Sequence, residues 1–102
     1  MMEQNEKKIA DRAVLVGVVY GAETQESVEK SLCEWEGLLD TAGGETVAKM
    51  MQNKESPDPR TMIGSGKAAE LSALCEANGV TLVVFDCELS PSQIRNLEDI
   101  LG

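Results

Sequence analysis

Ala13-Val14-Leu15-Val16-Gly17-Val18-Val19-Tyr20 is apolar at odd and even positions alike, and half of it is valine. A strand covered on one face alternates apolar with polar residues. One that is apolar throughout is covered on both faces, as a central strand of a parallel sheet is. That reading decides the fold class, because a sheet buried on both sides needs helices to bury it.

The chain on either side agrees. Gly21 and Ala22 turn the backbone, and Thr24 is a candidate N-cap with Glu26 in the first turn of the helix that follows. Val28, Leu32, Trp35, Leu39 and Ala42 recur at steps of four and three, one apolar stripe, so Trp35 is expected in the core. Gly43-Gly44 ends the helix. Glu45 to Met51 is a more polar strand, expected near a sheet edge, with Met50 and Met51 turned inward. Pro57-Asp58-Pro59 makes residues 53–60 a loop, and Thr61-Met62-Ile63 a short extended stretch. A second helix is expected from Ser65-Gly66 to Asn78, with Ala68, Leu71, Leu74 and Cys75 as its stripe and Gly79 as its stop. Val80 to Phe85 reads as a third, largely apolar strand. Ser90 as N-cap, Pro91 at N1 and Gln93 at N3 then open a third helix with a capping box, and Ile94, Leu97 and Leu101 are its apolar face.

Strand and helix alternate throughout. The expected fold is α/β, a parallel β-sheet with helices on its faces, built from βαβ units with right-handed crossovers. The last helix meets Gly102, where a βαβ pattern would continue into a further strand. The reading is of a chain truncated before a final strand. Residues 1–12 are expected to be a flexible tail, and residues 13–102 the α/β domain.

The chain has 102 residues, with 9 Lys and Arg against 18 Asp and Glu and a formal charge of −9. At 42% hydrophobic and 26% charged it is globular in composition, and its length fits one domain. It has no His, which removes Ser-His-Asp and Cys-His catalysis and His-ligated metals. Cys33, Cys75 and Cys87 form no C-x-x-C pair, so no zinc site is expected, and their odd number suits reduced thiols. No signal peptide and no apolar run of membrane-spanning length is visible, so a cytoplasmic protein without a membrane partner is expected.

Three segments could carry chemistry. In Ile63-Gly64-Ser65-Gly66-Lys67, glycines would let backbone N–H groups approach an anion at a helix N-terminus, with Lys67 completing the cradle. A glycine turn that merely starts the helix explains the same residues. The P-loop pattern itself is broken, by Thr61 where it needs Gly and by Ala68 where it needs Ser or Thr. The second signal is charge. Residues 46–67 carry Lys49, Lys54, Arg60 and Lys67 against Glu55 and Asp58, a net +2, while the segments on either side are strongly acidic. Third, Asp86 and Glu88 stand at the carboxyl end of the third strand, where α/β sheets hold ligands in a crevice; capping and backbone hydrogen bonding explain them equally.

Ser56-Pro57-Asp58-Pro59-Arg60-Thr61 leading into Ile63-Gly64-Ser65-Gly66-Lys67, then Glu88-Leu89-Ser90-Pro91 with Gln93 and Arg95-Asn96-Leu97-Glu98, resembles the N-terminal domain of the HflX family of GTP-binding proteins. The resemblance covers about residues 12–102, with Met62 where the family commonly has Tyr. It implies an α/β unit followed by a helical linker and a GTPase domain, the latter holding GTP and magnesium. It also implies binding to the large ribosomal subunit, splitting or rescue of ribosomes, and a less settled ATP-dependent activity of the N-terminal domain. No complete Walker A motif, D-x-x-G or N-K-x-D is present, since Ser56 replaces the Asp in Asn53-Lys54-Glu55-Ser56. GTP hydrolysis is therefore assigned to no residue here, and no cofactor is expected in this fragment. On this basis Lys54, Arg60 and Lys67 are expected to contact ribosomal RNA, and Gly64 to Lys67 to seat a phosphate. The alternatives are an ATP site on the same turn with Asp86 or Glu88 holding a metal, and a module that only orients the GTPase domain. An unpaired sheet edge is further expected to favour a homodimer.

Overall fold

A computed structural model describes residues 11–102. It contains β1 (Arg12–Val19), α1 (Gln25–Thr41), β2 (Glu45–Asn53), α2 (Ser65–Asn78), β3 (Leu82–Phe85) and α3 (Pro91–Leu101). The three strands form one parallel sheet in the order β2-β1-β3, with β1 in the centre. The α/β expectation holds. Of the tail expected over residues 1–12, residues 1–10 lie outside the described part, and Arg12 is already the first residue of β1.

The two faces of β1 divide the core. Val14, Val16 and Val18 point to one side, where they meet Ile63, Ala68, Leu71 and Cys75. Leu15 points to the other, against Val28 and Leu32 of α1. Alternation along a strand sends neighbouring side chains to opposite faces, so an unbroken apolar run feeds two cores at once. Each fully buried Leu or Ile here contributes about 1.5–3 kcal/mol. Gly17 lies on the α1 side. A Cβ there would sit 2.4 Å from Val28 Cγ1, so its lack of a side chain sets how closely α1 approaches the sheet.

The helix starts follow the sequence. Thr24 caps α1 by accepting from the Ser27 amide, and Ser27 completes a capping box. Ser90 and Gln93 form the box at α3, with Pro91 in the first turn. Gly79 closes α2 in the left-handed region at φ 60°.

Four details depart from expectation. β2 runs two residues beyond Met51, to Asn53, and a bulge lets Ala13 face Thr46 while Val14 faces Ala48. β3 is shorter than residues 80–85 and is an edge strand, with Leu82 exposed. Trp35 is not core. It is 38% exposed, because its indole N–H reaches outward to Asp86 Oδ1 at 3.2 Å. Ile94, expected on the apolar face of α3, is also exposed, at the groove beside β3.

Candidate functional site

Parallel strands bring the loops after β1, β2 and β3 to the same end of the sheet, and the candidate residues gather there in two groups. The first follows β2. Lys54 continues the strand by one hydrogen bond, its amide donating to the Val19 carbonyl. Its ammonium lies close to Gly64, 3.7 Å from where a Cβ on that glycine would stand. Gly64 is the N-cap of α2, and its amide donates to Gln52 Oε1. No side chain caps this helix. The amides of its first turn, at Ser65, Gly66 and Lys67, therefore face outward with the positive end of the helix dipole behind them.

The chain between Lys54 and Gly64 is a tight, polar-bonded loop. Asp58 Oδ1 accepts from the amides of Arg60 and Thr61, an Asx turn over Pro59. Asp58 and Met62 exchange backbone hydrogen bonds of 3.0 and 2.8 Å. Met62 is held at φ 69°, a left-handed conformation that costs a non-glycine residue of order 1–3 kcal/mol. Burial of its side chain in the core opposes that cost. Instead of an extended stretch, residues 61–63 thus form the closing side of a turn, with the Thr61 hydroxyl donating to the Ile63 carbonyl at 2.6 Å. Arg60 is exposed on this loop and shares a cleft of about 260 Å³ with Ser65 and Ala69 of α2 and Ile100 of α3.

Lys54, Arg60, Gly64 and Ser65 therefore border the start of one helix. Lys67 lies in its first turn and pairs with Glu70 at 3.3 Å. Such a surface pair, three residues apart on a helix, is worth little and is readily exchanged for another anion. Lys49, the fourth cation of the basic segment, lies apart, bound to Glu36 of α1 at 2.8 Å. That bond, chiefly, raises the Lys49 pKa. Among the described residues Lys54 and Arg60 enter no ion pair.

The second group follows β3. Asp86 does not accept backbone hydrogen bonds there; its Oδ1 takes the Ser31 hydroxyl and the Trp35 indole N–H, both at 3.2 Å. It borders a small crevice with Tyr20, Glu23 and Glu88, between the carboxyl ends of β1 and β3. Burial, and then the charge of Asp86, push the neighbouring Cys87 thiol up to about 11, so it stays protonated at neutral pH. The structure places Asp86 and Glu88 beside a different strand end from Gly64 and Lys67 and does not bring the two pairs to one pocket.

These residues do not fit a magnesium-nucleotide centre of the P-loop kind. Ala68, at the position of the metal-binding hydroxyl, is 1% exposed and packs in the core. Among the described residues no group of three or more carboxylates and thiols is arranged to hold a metal ion.

Sequence reasoning missed two side chains that touch this loop. Gln93 Nε2 donates to the Asp58 carbonyl at 2.9 Å, and Asn96 Nδ2 donates to the Arg60 carbonyl at 3.0 Å. The signal available was that both lie in the second of the two motifs that carry the resemblance.

Comparison with known proteins identifies the family. Residues 29–102 match the family described as GTP-binding GTPase N-terminal. The chain is 38% identical over 91 residues to GTPase HflX of Flavobacterium psychrophilum, covering 89% of this chain and 22% of that protein. It is 43% identical over 95 residues to GTPase HflX of Lacrimispora saccharolytica, covering 93% and 22%. With GTPase HflX of Escherichia coli it shares 38% identity over 88 residues, covering 86% and 20%. The chain thus spans about a fifth of the length of these curated relatives. Matched over most of its length, and with both motifs meeting in one structural unit, the chain belongs to the GTP-binding GTPase N-terminal family, the N-terminal domain of HflX proteins.

Proposed function

We propose that this domain binds the large ribosomal subunit for a cytoplasmic HflX-type GTPase, with residues 13–102 docking on ribosomal RNA while a separate GTPase domain handles GTP and magnesium. Lys54 and Arg60 contact RNA phosphates, Lys67 exchanges Glu70 for a third, and the open first turn of α2 seats a phosphate on its amides. One observation carries this reading. In a chain of charge −9, the single net-positive segment folds around the one helix start that, among the described residues, has a glycine N-cap and no side-chain cap. The acidic remainder repels RNA, so contact is confined to that site and orients the domain on it.

The test is replacement of Lys54, Arg60 and Lys67 by alanine, with binding to purified large subunits followed across a salt series. The expected result is weaker binding and a shallower salt dependence, because each lost phosphate contact removes about 0.7–0.9 from the slope. Unchanged affinity would leave a module that orients the GTPase domain without touching RNA. ATP is the competing occupant of the same turn, and calorimetry with ATP and magnesium reads it directly: absence of heat removes it.

The edge of β3 supports one further partner. Leu82 and Ile94 are exposed beside an apolar groove, and a second copy pairing there covers both. Sedimentation that shifts with concentration is the expected sign of that homodimer, and a monomer at high concentration contradicts it.

A further inference from the structure

The two amides from α3 raise a question that the RNA reading leaves open. Arg60 and Asn96 are separated by 36 residues, yet side-chain amides of α3 join the helix to two carbonyls of the loop. Gln93 serves two structures with one group. Its Oε1 accepts from the Ser90 amide and closes the capping box of α3. Its Nε2 donates to Asp58, whose carbonyl also takes the Met62 amide at 2.8 Å. A carbonyl has two lone pairs, and both are used. Gln93 is 8% exposed, so this bond is largely shielded from water. Asn96 then takes the carbonyl of Arg60 itself. On the other side, the Ser72 hydroxyl of α2 holds the Ile100 carbonyl near the end of α3.

We infer that Gln93 and Asn96 are positioning residues for Arg60. They latch the loop to α3, so that Arg60 stands at a fixed distance from the start of α2 and a change in the seating of α3 moves the cation. This rests on the RNA-binding reading for its functional consequence, and on the hydrogen bonds alone for the latch. Burial of Met62 and Ile63 anchors the end of the loop nearest α2, and the two amides hold the part that carries Asp58 and Arg60. The Asx turn and the Asp58–Met62 bridge shape it internally, but neither fixes it against the rest of the fold. Aimed by the latch, Arg60 loses less side-chain and loop freedom when it meets a phosphate, and preorganisation of this kind appears directly as affinity.

The test has two readouts on the 102-residue chain. The first is amide hydrogen exchange. Asn96→Ala should speed exchange at Arg60, Thr61 and Met62 by roughly tenfold, the scale of one hydrogen bond, with Leu15 and Val16 unchanged. Gln93→Glu is the second variant. It keeps an oxygen to cap α3 and replaces the donor that reaches Asp58 by a carboxylate oxygen that repels that carbonyl, so it should speed the same amides while the helix start stays protected. Unchanged exchange at those amides in both variants overturns the latch. The second readout is a double-mutant cycle on large-subunit affinity. Asn96→Ala should weaken binding by roughly threefold to tenfold in the parent chain. In the Arg60→Ala background it should change binding by less than about twofold, because its effect passes through Arg60. An equal loss in both backgrounds overturns the positioning role. Arg60→Ala with unaltered affinity contradicts the RNA reading instead, and the exchange data then judge the latch by themselves.

Discussion

Two glycines of this chain sit in opposite circumstances. At Gly17, in the central strand, an added Cβ would lie 2.4 Å from Val28 Cγ1 and 3.2 Å from Leu32 Cδ1. At Gly66, in the first turn of α2, an added Cβ would meet nothing within 4 Å. The fold demands the first glycine and does not demand the second. In a helix a glycine costs up to about 1 kcal/mol relative to alanine, so a position where alanine would fit freely is a cost with no return in packing. The same contrast extends around each residue. Gly17 is enclosed by side chains that bury apolar surface. Gly66 lies in a helix start left uncapped, two residues after Gly64, the glycine that the Lys54 ammonium approaches. One region is built to be stable, and the other keeps backbone exposed that a stable design would cover.

Substitutions can sharpen or break that contrast. The largest effect belongs to the buried region: Leu32→Ala, at 2% exposure, should cost about 2–5 kcal/mol in denaturant unfolding. A loss under 1 kcal/mol would mean that α1 is seated more loosely than its contacts suggest. Gly17→Ala should cost about 1–3 kcal/mol, because α1 must retreat from the sheet. Gly66→Ala should do the reverse, raising stability by a few tenths to about 1 kcal/mol while weakening large-subunit binding. Higher stability with full binding would show that the glycine serves neither fold nor function.

The smallest effect lies at the acidic crevice and is read by pH. Burial, and then the charge of Asp86, raise the Cys87 pKa from the ordinary thiol value of 9.0 to about 11. A raised pKa means that the folded state holds the proton more tightly. The stability this contributes is present below about pH 9.0 and is lost as pH rises toward 11. Cys87→Ser should therefore show a smaller fall in melting temperature across that window than the parent chain. At pH 8, iodoacetamide should modify exposed Cys33 before Cys87 or buried Cys75. Early modification of Cys87 would contradict the assigned burial.

The sheet was legible because Ala13 to Tyr20 admits few readings, and the starts of α1 and α3 because capping residues act within three positions of one another. Trp35 was not legible. Helical spacing placed it on the apolar stripe, but its fate depended on a carboxylate 51 residues away that its indole N–H reaches. The edge position of β3 was hidden for a related reason. An apolar strand reads alike whether its neighbour on one side is present or not. At the candidate site, charge singled out Lys49, Lys54, Arg60 and Lys67, and the family resemblance narrowed them to the last three. The pairing of Lys67 with Glu70 follows from helical spacing, whereas the removal of Lys49 to α1 depends on which strand residue faces which helix. The amides of Gln93 and Asn96 could be placed against the loop only by a fold that joins residues 35 and 36 apart.

The central claim is that the basic loop and the open helix start carry RNA affinity of their own. Co-sedimentation of this chain with purified large ribosomal subunits over a salt series tests it most directly. The account predicts saturable binding that weakens as salt rises, and a shallower slope once Lys54, Arg60 and Lys67 are alanine. Absence of binding at low salt, or binding indifferent to those three residues, would contradict it.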